Sequence, residues 1–203
     1  NLDITKRGME KGLVIERAVG VMASVTLPEG FGVQAGFFNP ATRSPALDGS
    51  GPTAPIAGED YTFVGRGTWD RGPWHAELAY GLAQSSAEVE GTTAEDYGVF
   101  DVGVRYRQGP VTAKAEFITG SGIENQDGRD QTVWYVHGGY MVTDWLEGVA
   151  RYYGGQYEHG DLDQDASNLY LGANVFFTEV RRNGRLQINY VVSGGDAAEW
   201  SGK

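Results

Sequence analysis

"VFDVGVRYRQGPVTAKAEF", residues 99–117, alternates apolar and polar side chains on both sides of a Gly-Pro reversal. Before the turn the even positions Phe100, Val102, Val104 and Tyr106 are apolar, and the odd positions Asp101, Gly103 and Arg105 are polar or small. After it the phase inverts, and Val111, Ala113, Ala115 and Phe117 alternate with Thr112, Lys114 and Glu116. Successive side chains of a strand point to opposite faces, so two strands folded back here share one oily face and one charged face. In a soluble sheet the oily face meets a core, and in a membrane barrel it meets lipid.

The signature recurs along most of the chain and predicts about ten strands. Residues 19–27 and 31–39 flank "PEG", 61–69 and 74–82 flank "DRGP", 132–142 and 146–153 flank "TDW", and 169–177 and 185–192 flank "TEVRRNG". Each short reversal carries the Gly, Pro or Asp of a tight turn. The other connections read as long and polar: "NPATRSPALDGSGPTAPIAGE", "QSSAEVEGTTAED", "TGSGIENQDGRD" and "GGQYEHGDLDQDAS". Strict alternation of short and long connections is the layout of an outer-membrane barrel, with short turns on the periplasmic side and long loops outside. The expected organisation is a connection over 1–18, barrel hairpins over 19–192, and an extracellular loop over 193–203 before a further strand.

Composition agrees with a strand-and-turn protein. The 203 residues include 31 glycines and only 7 prolines, and 12% are aromatic. With no cysteine, disulfides, thiolate chemistry and Cys-based zinc sites are excluded. A net charge of −11 argues against nucleic acid as a partner, because phosphate binding needs clustered Lys and Arg. No window approaches the roughly 18 apolar residues of a membrane helix, which leaves a β-barrel open. The chain starts without Met or a secretory leader, and the expectation is an internal piece of a longer protein.

Aromatic side chains cluster where a bilayer interface would lie. Phe31, Trp69, Trp74, Tyr106 and Trp145 sit at or beside the short turns, as a girdle on one rim requires. The opposite face carries Gln34, Arg66, His75, Glu77, Asp101, Arg105, Lys114, Glu116, Glu147, Arg151, Gln187 and Asn189, too polar a set for a small closed core.

At "VRYRQGPVTAKAEF", "WYVHGGYMVTDWLEGVARYY" and "LYLGANVFFTEVRRNGRLQINYV" the chain resembles the C-terminal half of the phosphate-selective porin O and P family, and "AVGVMASVTLPEGFGVQAGFFN" is similar to an earlier hairpin of that family. The resemblance implies an outer-membrane barrel of about 16 strands, usually a trimer, with an aqueous pore in each protomer. Two departures stand out: the chain supplies only about ten of those strands, and it stops at "VVSGGDAAEWSGK" without the final apolar strand and terminal aromatic.

The expected pore-lining residues are Arg66, Glu77, Asp101, Arg105, Lys114, Glu116, Glu147 and Arg151. Turn positions place Arg66 opposite Glu77, Lys114 diagonal to Asp101 and Arg105, and His137 facing Arg151. Arg66, Arg105, Lys114, Arg151 and Arg185 are the candidates for an anion path. Four carboxylates share their face, so weak selectivity is expected. Acidic loops bearing Glu88, Glu90, Glu95, Asp96, Asp161, Asp163 and Asp165 would bias entry against anions.

Other constellations are weaker. Asp161, Asp163 and Asp165 alternate like the start of a calcium loop, but Ala166 occupies the position of its turn glycine and no Glu closes it, which excludes an EF-hand. A looser divalent-ion site there competes with a simple solvated loop. His75, His137 and His159 lack ligand spacing, and no nucleophile triad, P-loop or dinucleotide fingerprint can be assembled.

The resulting expectation is an antiparallel transmembrane β-barrel giving passive, weakly selective diffusion of small hydrophilic solutes or ions, phosphate included, with no catalytic step and no cofactor. Its partners would be the lipid bilayer, lipopolysaccharide and copies of itself in a homotrimer. The alternatives are an interaction barrel whose acidic loops dock a surface partner, and a soluble β-protein acting on carbohydrate.

Overall fold

The computed structural model describes residues 13, 19–39, 61–84, 95–123, 126–178 and 184–196. These form ten strands: β1 (Gly20–Thr26), β2 (Phe31–Phe38), β3 (Thr62–Arg71), β4 (Trp74–Ala83), β5 (Tyr97–Gln108), β6 (Val111–Ser121), β7 (Arg129–Thr143), β8 (Leu146–His159), β9 (Leu162–Phe176) and β10 (Arg185–Gly195). They make one sheet in chain order, each strand antiparallel to the next, with β1 and β10 as its edges among the described residues.

The tight turns follow from their sequences. In Gly72-Pro73 and Gly109-Pro110 the glycine has φ of 56°. The following proline is fixed near −65°, the pattern of a type II′ hairpin turn. Between β7 and β8 the backbone amides of Trp145 and Leu146 donate to Thr143 Oγ1 at 3.4 and 3.1 Å, closing the "TDW" reversal with a side chain.

The expected alternation of connection lengths needs correction. Residues 154–167, expected as a long loop, are almost wholly strand, since β8 and β9 stay paired from Leu146–Val175 out to His159–Leu162. Only Gly160 and Asp161 connect them, with Gly160 at φ 60°. Strands β6 and β7 likewise run into the expected loop, leaving residues 122–128 between them. Strand β10 reaches Gly195, beyond the boundary expected at 192. Most of the two longest connections, with Glu88 and Glu90, lies outside the described residues, as does most of "TEVRRNG".

Register gives the sheet its shape. A row of directly paired residues starts at Phe31, the first residue of β2, and runs through Trp69, Ala76, Val104, Ala115, Val136, Tyr152 and Leu169 to Val192, far along β10. The row climbs steadily away from the short-turn rim, which is the stagger that closes a tilted sheet into a barrel.

That row is apolar throughout, and its large side chains stand in the open. Val104, Val136, Tyr152, Leu171, Ile188 and Tyr190, all on this face, are exposed. The other face holds His137, Arg151, Asn168 and Asn174, all buried. Polar side chains crowd the concave side and apolar ones cover the convex side. This inverts the soluble arrangement and is what a wall between lipid and water requires. Aromatic pairs mark both margins of the convex face. Phe31 lies 6.4 Å from Trp69, and Trp74 4.8 Å from Tyr106, at the short-turn rim. Phe37 stacks on Tyr61 at 4.8 Å, and Trp134 lies 5.4 Å from Tyr152, toward the other margin.

Candidate functional site

The concave face is organised in rows that cross the strands. Nearest the short turns, Glu147, Asn174 and Gln187 lie side by side on β8, β9 and β10. Asn174 Nδ2 donates to Glu147 Oε2 at 2.9 Å, and Gln187 Nε2 donates to Asn174 Oδ1 at 2.9 Å. Gly139 leaves room for this cluster, because a Cβ there would lie 2.9 Å from Glu147 Oε1.

Farther from that rim runs a basic row: His75, Arg105, Lys114, His137 and Arg151, on the five adjacent strands β4 to β8. Asp70 precedes it on β3 and Tyr170 follows it on β9. Asp70 Oδ1 is 2.8 Å from His75 Nδ1. The Arg151 guanidinium lies 3.7 Å over the Tyr135 ring, a cation–π contact that holds this buried charge flat against the wall.

The next row contains Thr68, Glu77, Gly103, Glu116, Tyr135, Tyr153 and Asn168. Basic and acidic positions therefore stand two residues apart on the same strands, His75 beside Glu77 and Lys114 beside Glu116. The fourth row holds Gln34, Arg66, Ala79, Asp101, Ile118, Val133, Gly155 and Ala166. Toward the long-loop rim the face turns apolar: Ile118, Val133, Tyr153, Ala166 and Tyr170 cluster with Ala83, Tyr97, Ile123 and Leu13.

All eight sequence-selected residues stand on this one face, but their partners differ from expectation. Arg66 is directly opposite Ala79 and reaches Glu77 diagonally, where its Nε donates to Oε2 at 3.1 Å and its Nη2 also bonds that oxygen. Lys114 stands directly opposite Arg105, not diagonal to it. His137 faces Arg151 as expected. The difference has one cause. A two-residue Gly-Pro turn pairs Arg71 with Trp74 and Gln108 with Val111, whereas a wider reversal slips the partners by two residues and keeps every face.

Arg185, the remaining anion-path candidate, opens β10 on the same face, beside Phe176. Asp163 and Asp165 are in β9, not in a loop, and Asp163 Oδ1 accepts from Gln156 Nε2 at 3.2 Å. Among the described residues no three His, Asp or Glu side chains converge as a metal site needs. The basic row is the feature that inspection of single hairpins missed, because it exists only once the stagger of all five strands is fixed.

An apolar exterior, a charged interior and a staggered antiparallel meander define the fold of an outer-membrane β-barrel. Among the solved structures similar to it are two of OmpT, an outer membrane protein of Vibrio cholerae. The form lacking loop L8 superposes with a TM-score of 0.60 at 18% identity, covering 88% of this chain and 58% of that one. The in-vitro folded form gives 0.57 at 19% identity, covering 86% and 53%. The chain thus spans little more than half the length of these barrels. No protein-family model and no curated sequence matches it.

Proposed function

We propose that this protein is a porin of the bacterial outer membrane that lets small hydrophilic solutes and ions diffuse passively, with long loops outside, no catalytic step and a homotrimeric assembly in lipopolysaccharide-containing bilayer. The observation that carries this reading is the basic row itself. Arg105 is exposed and Lys114 half-buried on this face, and strands would not turn such side chains inward toward a dry core, because unsolvated charges cost several kcal/mol each. That part of the row belongs beside water.

Selectivity follows from the balance of rows. Arg105, Lys114 and Arg151 attract anions, while Glu77, Asp101, Glu116 and Glu147 on the same face oppose them. The wall has little net field, and the reading is therefore weak selectivity, phosphate being one solute among several. The experiment is conductance in planar bilayers. Stepwise channels with a reversal potential close to zero across a potassium chloride gradient support it. A protein that inserts but passes no current is a plugged barrel and overturns it.

A further inference from the structure

Three of the rows of the concave face enclose a hollow of about 200 Å³ centred on β4, β5 and β6. Its floor is Gly103, which stands directly between Glu77 and Glu116 in the acidic row. On the short-turn side it is bounded by His75, Arg105 and Lys114, and on the other side by Arg66. The missing side chain at Gly103 creates the space. A Cβ there would lie 3.3 Å from Glu77 Cγ and 3.4 Å from its Oε1, so the Glu77 side chain leans over the glycine.

Across this hollow Arg105 and Lys114 lie along one wall and the Glu116 carboxylate along the next, one strand repeat of about 6.7 Å away. Glu77 is already paired with Arg66. An anion held by Arg105 and Lys114 meets Glu116 on its far side, and a cation held by Glu116 meets Arg105 and Lys114. Neither single sign is satisfied. A small solute with both signs is satisfied at both ends, its carboxylate taking charge-assisted hydrogen bonds from Arg105 and Lys114 while its ammonium donates to Glu116.

We infer that this hollow is a binding station for small zwitterions, of which a free α-amino acid is the simplest chemistry. The inference rests on the diffusion reading and adds a preferred solute to it. The station is shallow and wet, so each end contributes what an exposed ion pair does. The effect is a bias in permeation, not tight capture.

Four solutes of nearly equal size separate the alternatives: L-alanine (zwitterion), lactate (anion), alaninamide (cation) and lactamide (neutral). The intact protein is reconstituted in phosphatidylcholine vesicles and initial permeation rates are measured at low solute concentration. Alanine is expected to enter about threefold faster than lactamide, with saturation, and faster than either single-sign solute. Arg105→Gln and Glu116→Gln should each bring the alanine-to-lactamide ratio toward one, a ratio that does not depend on how much protein inserts. Glu116→Gln should also speed lactate relative to lactamide. Equal rates for alanine and lactamide in the native protein overturn the inference and leave diffusion standing. Lactate faster than alanine overturns it in favour of an anion site. If no solute enters, the diffusion reading fails and the station with it.

Discussion

The convex face of β7, β8 and β9 has two halves that differ in everything except backbone. In the half nearer the short turns, Val136, Tyr152 and Leu169 lie side by side, and the next convex row is Trp134, Gly154 and Ser167. One step farther come Thr132, Gln156 and Asp165, then Asp130, Glu158 and Asp163. The strands, the ladder and the face are the same, yet the side chains change from apolar to carboxylate. Pairing is a property of the backbone, whereas polarity reports the solvent beside it. The three strands leave the hydrocarbon near Trp134 and continue as a paired extension into water. Trp134 is suited to that level: its ring packs over Gly154, where a Cβ would lie 3.0 Å from the indole.

The comparison breaks most visibly under a buried charge. Leu169→Arg, or Val104→Arg on β5, should cost about 2–4 kcal/mol in the apolar half, and Gln156→Arg on the same face of the extension should cost under about 0.5 kcal/mol. Reversible denaturant unfolding in lipid vesicles measures both. Equal costs would mean that the lipid boundary does not cross these strands. A parallel check is labelling with a membrane-impermeant maleimide: Glu158→Cys should react on intact cells and Leu171→Cys should not.

The same boundary governs how much of the fold could be read from sequence. Faces were legible wherever strands cross lipid, because lipid forces the period-two alternation seen in residues 99–117. The extension was illegible. Gln156, Glu158, Asp163 and Asp165 alternate with Tyr157, Gln164 and Ala166, but with water on the convex side no apolar signal marks the strand, and the stretch reads as a polar loop. The apolar cluster of Ile118, Val133, Tyr153 and Ala166 was hidden for the opposite reason, since apolar residues on the concave side break the rule that the interior of a barrel is polar. The candidate site was half legible. Its residues could be listed from their phase, but the opposition of Arg105 to Lys114 depends on a turn of two residues, and the five-strand basic row depends on stagger between hairpins.

A smaller effect tests whether the extension is a true hairpin. Gly160 turns it at φ 60°, and nothing lies within 4 Å of a Cβ added there. Gly160→Ala should therefore cost only the left-handed backbone term, about 1–2 kcal/mol, seen as faster amide exchange in β8 and β9 near the tip. Gly148→Ala in the apolar half is the control. It also has open space and no positive φ, so it should be neutral or slightly stabilising. If Gly160→Ala leaves exchange unchanged, the tip is a loop and the two halves differ in backbone after all. At the opposite end of β8, Thr143→Ala removes the acceptor for the Trp145 and Leu146 amides. These amides can turn to water, so the expected loss is about 0.5–1 kcal/mol by the same unfolding measurement.

On the concave face a small effect on stability goes with a larger one on permeation. Arg66 and Glu77 form a diagonal ion pair whose side chains are 43% and 26% exposed. A pair so placed is screened by water and salt, and Arg66→Ala should change stability by no more than about 0.5–1 kcal/mol. Its effect on permeation should be larger than its effect on folding. Removing the guanidinium leaves the Glu77 carboxylate to act alone beside Glu116 and Asp101, which shifts the interior field toward cations. The reversal potential of Arg66→Ala across a salt gradient should move in the cation-selective direction, and the shift should shrink as salt is raised, because screening shortens to roughly 3 Å at 1 M. Double substitution of Arg66 and Glu77 to alanine should return the potential most of the way. If instead Arg66→Ala destabilises the protein as strongly as Leu169→Arg, the concave face is dry at this level and the division between a lipid side and a water side is drawn in the wrong place.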